Sequence, residues 1–206
     1  TIYANTSTGA FSDLAICFSN GKTIPIFILF LLGFGMKAGL FPMHVWLPEA
    51  HPAAPSHVSA IMSGVMIKTG VYGIMRVMWY IADSTELHTI GLIILSVGII
   101  TGLWGVILAA VQNDAKRLLA YSSIENVGVI FIGLGIATLG QASGNHLVAT
   151  IALCGALLHT VNHSLFKSLL FFGAGNIYSQ MHTTLLDKFG GVAKHMPVTA
   201  ILFLLA

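Results

Sequence analysis

Long apolar segments separated by short polar loops dominate this chain. The apolar segments, which predict helices, cover residues 24–40, 56–81, 87–111, 118–139 and 146–177, and a shorter apolar run covers 198–206. A helix needs about 20 apolar residues to cross a bilayer, so the last run is about half a span. The pattern predicts an all-α, polytopic transmembrane helix bundle of about five full spans plus a truncated sixth, as in a fragment cut inside a helix.

Composition agrees with this prediction. The chain is 56% hydrophobic and 8% charged, whereas soluble domains contain about 25% charged residues, so we expect a lipid bilayer around the helices. The net charge of +2 is too small to suggest nucleic-acid binding. Residues 1–22 are polar and predict a loop, and residues 23–206 predict part of a single transmembrane domain. Gly-x-x-x-Gly motifs at 35–39 and 98–102 predict close helix packing inside the bundle.

The first span is predicted to be broken. It runs into a proline-rich stretch at residues 41–55, whose four prolines cannot all lie inside one regular helix. We expect a helix that breaks near Pro42, followed by a short second half with Trp46 near the membrane interface. Irregular backbone at membrane depth occurs where it is buried in protein or lines a cavity.

The charged loops predict an orientation. The loops after the third and fifth segments carry the cations Lys116, Arg117, Lys188 and Lys194. The loops after the second and fourth segments carry Asp83 and Glu86 but no Lys or Arg. Because cytoplasmic loops carry an excess of Lys and Arg, the first pair of loops is predicted to be cytoplasmic. Residues 1–22 are then external, with Lys22 as the one exception to the rule. We interpret Lys116 and Arg117 as topology determinants rather than as a site.

Two lysines lie deep inside predicted spans. Lys37 is about 13 residues into its helix, or about 20 Å, which is too deep for easy snorkelling to an interface. It also lies beside the predicted break, where it can donate to carbonyls that the break leaves unpaired. Lys68 lies about 12 residues into the next segment, where an ion pair with another helix is one possible role. Charged groups at this depth are costly and are retained mostly along ion or proton paths.

A row of titratable side chains follows in the fifth segment. His159, His163 and Lys167 are spaced i, i+4 and i+8, so they share one side of a helix at intervals of about 6 Å. Such a row, bridged by waters, can pass protons stepwise. Two histidines at this spacing can also share a metal ion. No carboxylate or cysteine lies nearby as a further ligand, so we expect no metal and no cofactor here.

Five further groups are candidates for proton relay. Glu125 lies inside the fourth segment and either relays protons or belongs to a packing network. His44, His51, His57 and Glu49 flank the proline-rich stretch near the predicted cytoplasmic surface. Two roles remain equally open for these four residues. They either form interfacial hydrogen bonds or contacts with another subunit, or they take part in proton uptake.

Four motifs carry a family resemblance: GMKAGLFPMHVWLPEAHPAAP at 35–55, MIKTGVYG at 66–73, DAKRLLAYSS at 114–123 and HTVNHSLFKSLLFF at 159–172. With these motifs the chain resembles the antiporter-like proton-translocating subunits of respiratory complex I, Mrp-type antiporters and membrane-bound hydrogenases. The resemblance covers nearly the whole chain after residue 22. Within the family, MKAG at 36–39, EAHPAAPSH at 49–57 and SSIEN at 122–126 most resemble hydrogenase-4 component B and the formate hydrogenlyase membrane subunit.

The resemblance implies a bundle of about fourteen helices built on two inverted repeats, to which this chain contributes helices seven to eleven and the start of twelve. It implies that Lys37 is the broken-helix lysine and Lys68 the lysine of the next helix. His159, His163 and Lys167 would connect two half-channels. The implied protein is a non-catalytic membrane subunit of an oxidoreductase complex in a prokaryotic inner (cytoplasmic) membrane. Its partners would be other membrane subunits and a peripheral redox arm.

Two other functions stay open at this point. The chain could belong to an Mrp-type sodium or potassium antiporter without a redox partner. It could also belong to a membrane anchor whose lysines only form structural pairs. The sequence contains no CxxC set, haem motif or nucleotide-binding loop, so any redox chemistry has to be supplied by a partner.

Overall fold

The computed structural model describes Phe18 and residues 23–206. The loop predicted at residues 1–22 therefore lies outside the described residues, apart from Phe18. The described chain is helical and contains no β-strand. Its elements are α1 (Thr23–Ala38), α2 (Trp46–Ala53), α3 (Ser56–Tyr80), α4 (Leu87–Ala110), α5 (Ala115–Ala142), α6 (His146–Met181), a 3-10 turn (Leu186–Lys188), α7 (Val192–His195) and α8 (Pro197–Leu205).

Within the described chain, the four helices α3 to α6 are long and apolar enough to cross a membrane. α1 is a shorter apolar helix of 16 residues. The prediction of an all-helical, multi-pass membrane protein is confirmed. α6 contains 36 residues, so it is about 54 Å long, whereas the hydrocarbon core of a bilayer is about 30 Å thick. α6 therefore has to tilt or extend beyond the core.

α1 ends in a glycine turn. Gly39 has φ of +80°, a left-handed conformation that glycine adopts without a Cβ clash. The amide of Gly39 donates to the carbonyl of Met36 at 3.3 Å, and the amide of Leu40 donates to that of Gly35 at 2.9 Å. These two bonds form the Schellman pattern of helix ends. The indole Nε1 of Trp46 also donates to the Met36 carbonyl at 2.8 Å, which ties the start of α2 to the end of α1.

Glycines allow α4 and α5 to pack in close contact. A Cβ added to Gly128 would lie 2.4 Å from the amide nitrogen of Gly102 and 2.8 Å from the carbonyl oxygen of Gly98. These distances are far inside van der Waals contact, so the backbones themselves touch. The motif at 98–102 thus acts inside the bundle, as small residues commonly do in membrane helices.

The prediction that Gly35 and Gly39 form a second packing motif was wrong. Gly39 lies beyond the last residue of α1, where it forms the turn, and the contact it permits is with the Leu47 side chain of α2, 2.6 Å from an added Cβ, rather than a contact along one face of α1. α1 instead approaches α3 at Gly70, where an added Cβ would lie 2.6 Å from the carbonyl oxygen of Phe34. The spacing of the two glycines could not distinguish a turn from an interface.

The loops after α4 and α6 lie side by side at one end of the bundle, called here the Lys116 end. The amide of Ala115 donates to the carbonyl of Thr184 at 2.9 Å, and the amide of Leu186 donates to that of Asn113 at 2.8 Å. The two cation-rich loops that the sequence placed on one side of the membrane therefore share one end of the bundle.

At the opposite end of the bundle, called the Glu86 end, a carboxylate caps α1. Glu86 precedes α4, and its Oε2 accepts the amide N–H of Ile24 at 3.1 Å. Ile24 lies in the first turn of α1, where the amides have no partner within the helix. The loop after α3 thus caps α1 from outside, and the negative charge also suits the positive end of the α1 dipole.

Candidate functional site

α3, α5 and α6 meet around a group of buried polar side chains. Gly64 in α3 lies so close to α6 that an added Cβ would be 2.4 Å from Oγ of Ser168. The Ser168 hydroxyl lies 3.4 Å from the carbonyl oxygen of Ala60 in α3 and 2.8 Å from that of Ser164 in α6. This close approach brings four titratable side chains into one interior region. We call Lys68, His159, His163 and Lys167 the Lys/His cluster.

The two histidines of the cluster form a short column on α6. Their ring centroids are 6.3 Å apart, as the i, i+4 spacing predicts. His159 is partly buried, and its Nε2 lies 3.0 Å from Oδ1 of Asn126 in α5. His163 is 0% exposed, and both of its ring nitrogens lack a hydrogen-bond partner among the described residues. Because buried polar atoms are normally hydrogen-bonded, His163 is an exception that calls for an explanation.

Lys167 is the most deeply buried lysine of the cluster, with 1% of its surface exposed. Its Nζ donates to the backbone carbonyl of Leu119 in α5 at 3.4 Å. That carbonyl also accepts the hydroxyl of Ser123 at 2.8 Å, and the oxygen atoms of Ser123 and Ser63 are 2.8 Å apart. The Lys167 ammonium therefore contacts one carbonyl of a network of neutral polar groups that links α3 and α5.

Lys68 lies just after a π-helical turn in α3, Met62–Met66. Its ammonium donates to the backbone carbonyl of Ser63, five positions earlier. π-Helical turns disturb the regular i, i+4 ladder and occur frequently at functional sites. The side chain is partly buried and lies within electrostatic range of His163 and Lys167.

Glu125 is the carboxylate of α5 that lies beside the cluster. It is partly buried and within electrostatic range of His159 and Lys167. Its backbone packs against α4, where a Cβ added to Gly105 would lie 2.5 Å from the amide nitrogen of Glu125. The close helix contact therefore fixes the position of this carboxylate relative to α6.

Lys37 lies apart from the Lys/His cluster. It is the penultimate residue of α1, and its side chain is exposed on the described chain. The expectation that its ammonium would donate to carbonyls at the break does not hold within the described residues. Those carbonyls accept the amides of Gly39 and Leu40 and the indole of Trp46 instead.

The structure also places the candidate relays of the proline-rich stretch outside the cluster. His44 is buried, with its ring centroid 5.7 Å from that of Phe41. His57 and Glu49 are exposed. The Glu49 carboxylate lies 2.5 Å from the guanidinium of Arg117, so Arg117 holds α2 against the start of α5.

Sequence reasoning missed several groups that contact the cluster: Ser63, Ser123 and Asn126. A signal for two of them was present, because Ser123 and Asn126 are polar residues three positions apart in a helix and so share a face. Ser63 gave no such signal, since its contact with Ser123 depends on how α3 and α5 pack.

The cluster is chemically suited to proton exchange. Imidazole and ammonium groups gain and lose single protons, and a spacing of about 6 Å leaves room for one bridging water. In the part of the chain that the structure describes, no group of three or more His, Cys, Asp or Glu side chains is arranged to hold a metal ion.

Comparison with known proteins identifies a family over the whole chain and relatives over most of it. The sequence model of the family described as "NADH:quinone oxidoreductase/Mrp antiporter, TM" matches residues 1–206. Hydrogenase-4 component B of Escherichia coli is 48% identical over 183 residues, which are 88% of this chain and 27% of the relative. Formate hydrogenlyase subunit 3 of Escherichia coli is 38% identical over 179 residues, which are 87% of this chain and 29% of the relative.

A solved structure has the same fold. The membrane-bound sulfane sulfur reductase, described as an archaeal respiratory membrane complex, contains a chain that matches with a TM-score of 0.82 and 37% identity. The match covers 97% of this chain and 33% of that one. This chain therefore spans about a third or less of the proteins that it matches. By sequence and by fold, the chain belongs to the NADH:quinone oxidoreductase/Mrp antiporter transmembrane family.

Proposed function

We propose that this chain is part of a proton-translocating membrane subunit of a redox-driven complex. Protons would move along a midplane Lys/His axis, formed by the Lys/His cluster, on their way between the two ends of the bundle. The observation that carries this proposal is the burial of His163 with both ring nitrogens unpartnered among the described residues. An imidazole in such a position has free nitrogen atoms on both sides, which is what stepwise proton transfer through bridging waters requires.

The relatives support a redox-driven partner. Their names refer to a hydrogenase, a formate hydrogenlyase and a sulfane sulfur reductase. The present sequence has no motif for a redox cofactor, so the energy would come from a peripheral redox arm through other membrane subunits. We place the complex in a prokaryotic inner (cytoplasmic) membrane, with residues 1–22 external.

We also propose that α1 and α2 form one broken span. α1 is too short to cross a bilayer at 1.5 Å per residue, and α2 continues after the glycine turn. Together with α3 to α6 this gives five spans, and α8 begins a sixth. These would be helices seven to eleven and the start of twelve of the family bundle. Lys37 would act at the break of this span.

A sodium or potassium antiporter is the second candidate, because the family includes Mrp antiporters. Hard cations such as Na⁺ are bound by oxygen ligands. The Lys/His cluster offers nitrogen atoms and positive charge, and Glu125 is the carboxylate beside it. This chemistry favours protons over metal cations as the transported species.

The proposal can be tested by replacing His163 in the complete complex. In proteoliposomes, His163→Phe should lower proton uptake per redox turnover about tenfold or more, because phenylalanine keeps the apolar volume but carries no proton. His88→Phe is the matched control, since His88 is exposed at the start of α4. Unchanged proton uptake in His163→Phe would favour a membrane anchor, and sodium flux in place of proton uptake would favour the antiporter.

A further inference from the structure

The row of titratable side chains on α6 ends at Lys167 in the sequence. In the folded structure, a histidine from another helix extends it. His159, His163 and Lys167 recur every four residues, and the next position in this series is Phe171. A step of four residues advances about 6 Å along the helix. The ring of His51, from α2, stacks on Phe171 with 4.6 Å between ring centroids and 18° between the planes. An imidazole from another helix thus occupies the place of a fourth group in the row.

His51 is unpartnered in the same way as His163. It is 0% exposed, and both ring nitrogens lack a hydrogen-bond partner among the described residues. Its backbone is fixed, because the carbonyl of His51 accepts the hydroxyl of Ser59 at 3.0 Å. A ring that served only to fill space against Phe171 would not need two buried polar atoms without partners.

Two buried lysines lie near His51. Lys167 precedes Phe171 by one turn of α6, and both Lys167 and Lys116 are within electrostatic range of the His51 ring. The Lys116 ammonium donates to the carbonyl of Ala54, three positions after His51, at 2.8 Å. His51 therefore lies between the Lys/His cluster and the Lys116 end of the bundle.

We propose that His51 is the proton carrier that links Lys167 to the Lys116 end of the bundle. This inference rests on the proposed function and names one further group of that path. In the step, an N–H bond of the Lys167 ammonium breaks and, through a bridging water, an N–H bond forms at the unprotonated ring nitrogen of His51. The other ring nitrogen then releases its proton toward the Lys116 end, so no electrons move and the proton count balances. The reverse sequence carries protons inward from that end.

The placement of His51 also gives the irregular backbone of the proline-rich stretch a function. α2 has only eight residues, and Pro52 lies inside it. The turn after α1 and the contacts at Trp46 and Ser59 together hold α2 where the His51 ring reaches Phe171.

The test uses His51→Phe in the complete complex, reconstituted in proteoliposomes and driven by its own redox substrate. Phenylalanine preserves the stack on Phe171 but cannot carry a proton. We expect proton uptake per redox turnover to fall about tenfold or more while assembly and redox turnover are retained. Full proton uptake in His51→Phe would overturn the inference. His88→Phe serves as the exposed control.

Two further variants keep the outcomes distinct. If His51→Phe lowers assembly, proton uptake by His51→Ala is measured with added imidazole, with added pyrrole and with neither. Recovery of proton uptake with imidazole but not with pyrrole supports the role of His51 as a proton carrier. Recovery with both rings equally would show a packing role and reject the inference. If His163→Phe abolishes uptake while His51→Phe leaves it unchanged, only this inference fails. If both leave it unchanged, the proposed function itself fails.

Discussion

The ammonium of Lys116 donates a hydrogen bond of 2.8 Å to the backbone carbonyl of Ala54, 62 positions earlier in the chain. Lys116 is 6% exposed, and its Nζ also lies 5.9 Å from the ring centroid of Tyr178 in α6. One side chain of α5 therefore fixes the end of α2 and contacts the end of α6. The sequence favoured a topology determinant for this lysine, and the structure adds a structural role.

Replacing Lys116 should destabilise this end of the bundle. Lys116→Met keeps most of the apolar stem but leaves the Ala54 carbonyl without its charged donor, which costs about 1.5–3 kcal/mol. The expected result is a lower midpoint of thermal unfolding for the detergent-solubilised protein. Lys188→Met is the matched control, because Lys188 is exposed. Equal midpoints for the two variants would show that the bond contributes nothing.

The sequence predicted the long helices well, because their boundaries are marked by polar groups. The starts of α3, α4 and α6 at Ser56, Leu87 and His146 agree with the apolar pattern. α5 begins three residues before the predicted Leu118, because the Asp114 side chain accepts the amide of Arg117 and caps the helix there.

The candidate site was only partly predictable from the sequence, because some of its contacts lie within one helix and others join separate helices. The spacing of His159, His163 and Lys167 along one helix face is a property of α6 alone. The contact of His51 with Phe171 and the contact of Ser63 with Ser123 join separate helices. Such contacts depend on helix packing, which a single sequence does not specify.

Lys37 should be required for proton transport but not for assembly. The carbonyls at the end of α1 are already capped by Gly39, Leu40 and Trp46, so removing the lysine leaves the turn intact. Lys37→Ala in the complete complex should therefore assemble normally and lose proton uptake by about tenfold or more. Lys194→Ala, at an exposed position, is the control. Normal proton uptake in Lys37→Ala would remove Lys37 from the path.

The contact between α4 and α5 should be intolerant of a single methyl group at Gly128. An added Cβ would lie 2.4 Å from the backbone of Gly102, so Gly128→Ala should force the helices apart and cost about 1–3 kcal/mol. Gly155→Ala is the matched control, because a Cβ added there meets nothing within 4 Å. The control should be stabilising by up to about 1 kcal/mol, since alanine favours helix more than glycine. Thermal unfolding in detergent distinguishes the two, and equal midpoints would contradict the close packing.

The Lys/His cluster should contain no metal. His163 lies within electrostatic range of the ammonium groups of Lys68 and Lys167, and their positive charges repel a metal cation. Elemental analysis of the purified complete protein should therefore find the same zinc content in the wild type and in His163→Ala. Stoichiometric zinc that is lost in His163→Ala would show a metal site and contradict the proton path.

The Lys116 end of the bundle should face the cytoplasm. The loops there carry Lys116, Arg117, Lys188 and Lys194. The opposite loops carry Asp83 and Glu86 and no Lys or Arg, and cytoplasmic loops are the ones enriched in cations. In a variant of the complete protein whose native cysteines, including Cys17 and Cys154, are replaced, single cysteines at Asn113 and Gln180 should resist an impermeant thiol reagent in intact cells and react in inverted vesicles. A cysteine at Thr85, which is exposed near the Glu86 end, should show the reverse.

Labelling of Asn113→Cys in intact cells would place the Lys116 end outside. His51 would then exchange protons with the external medium, whereas the contacts within the Lys/His cluster would be unaffected because they do not depend on orientation.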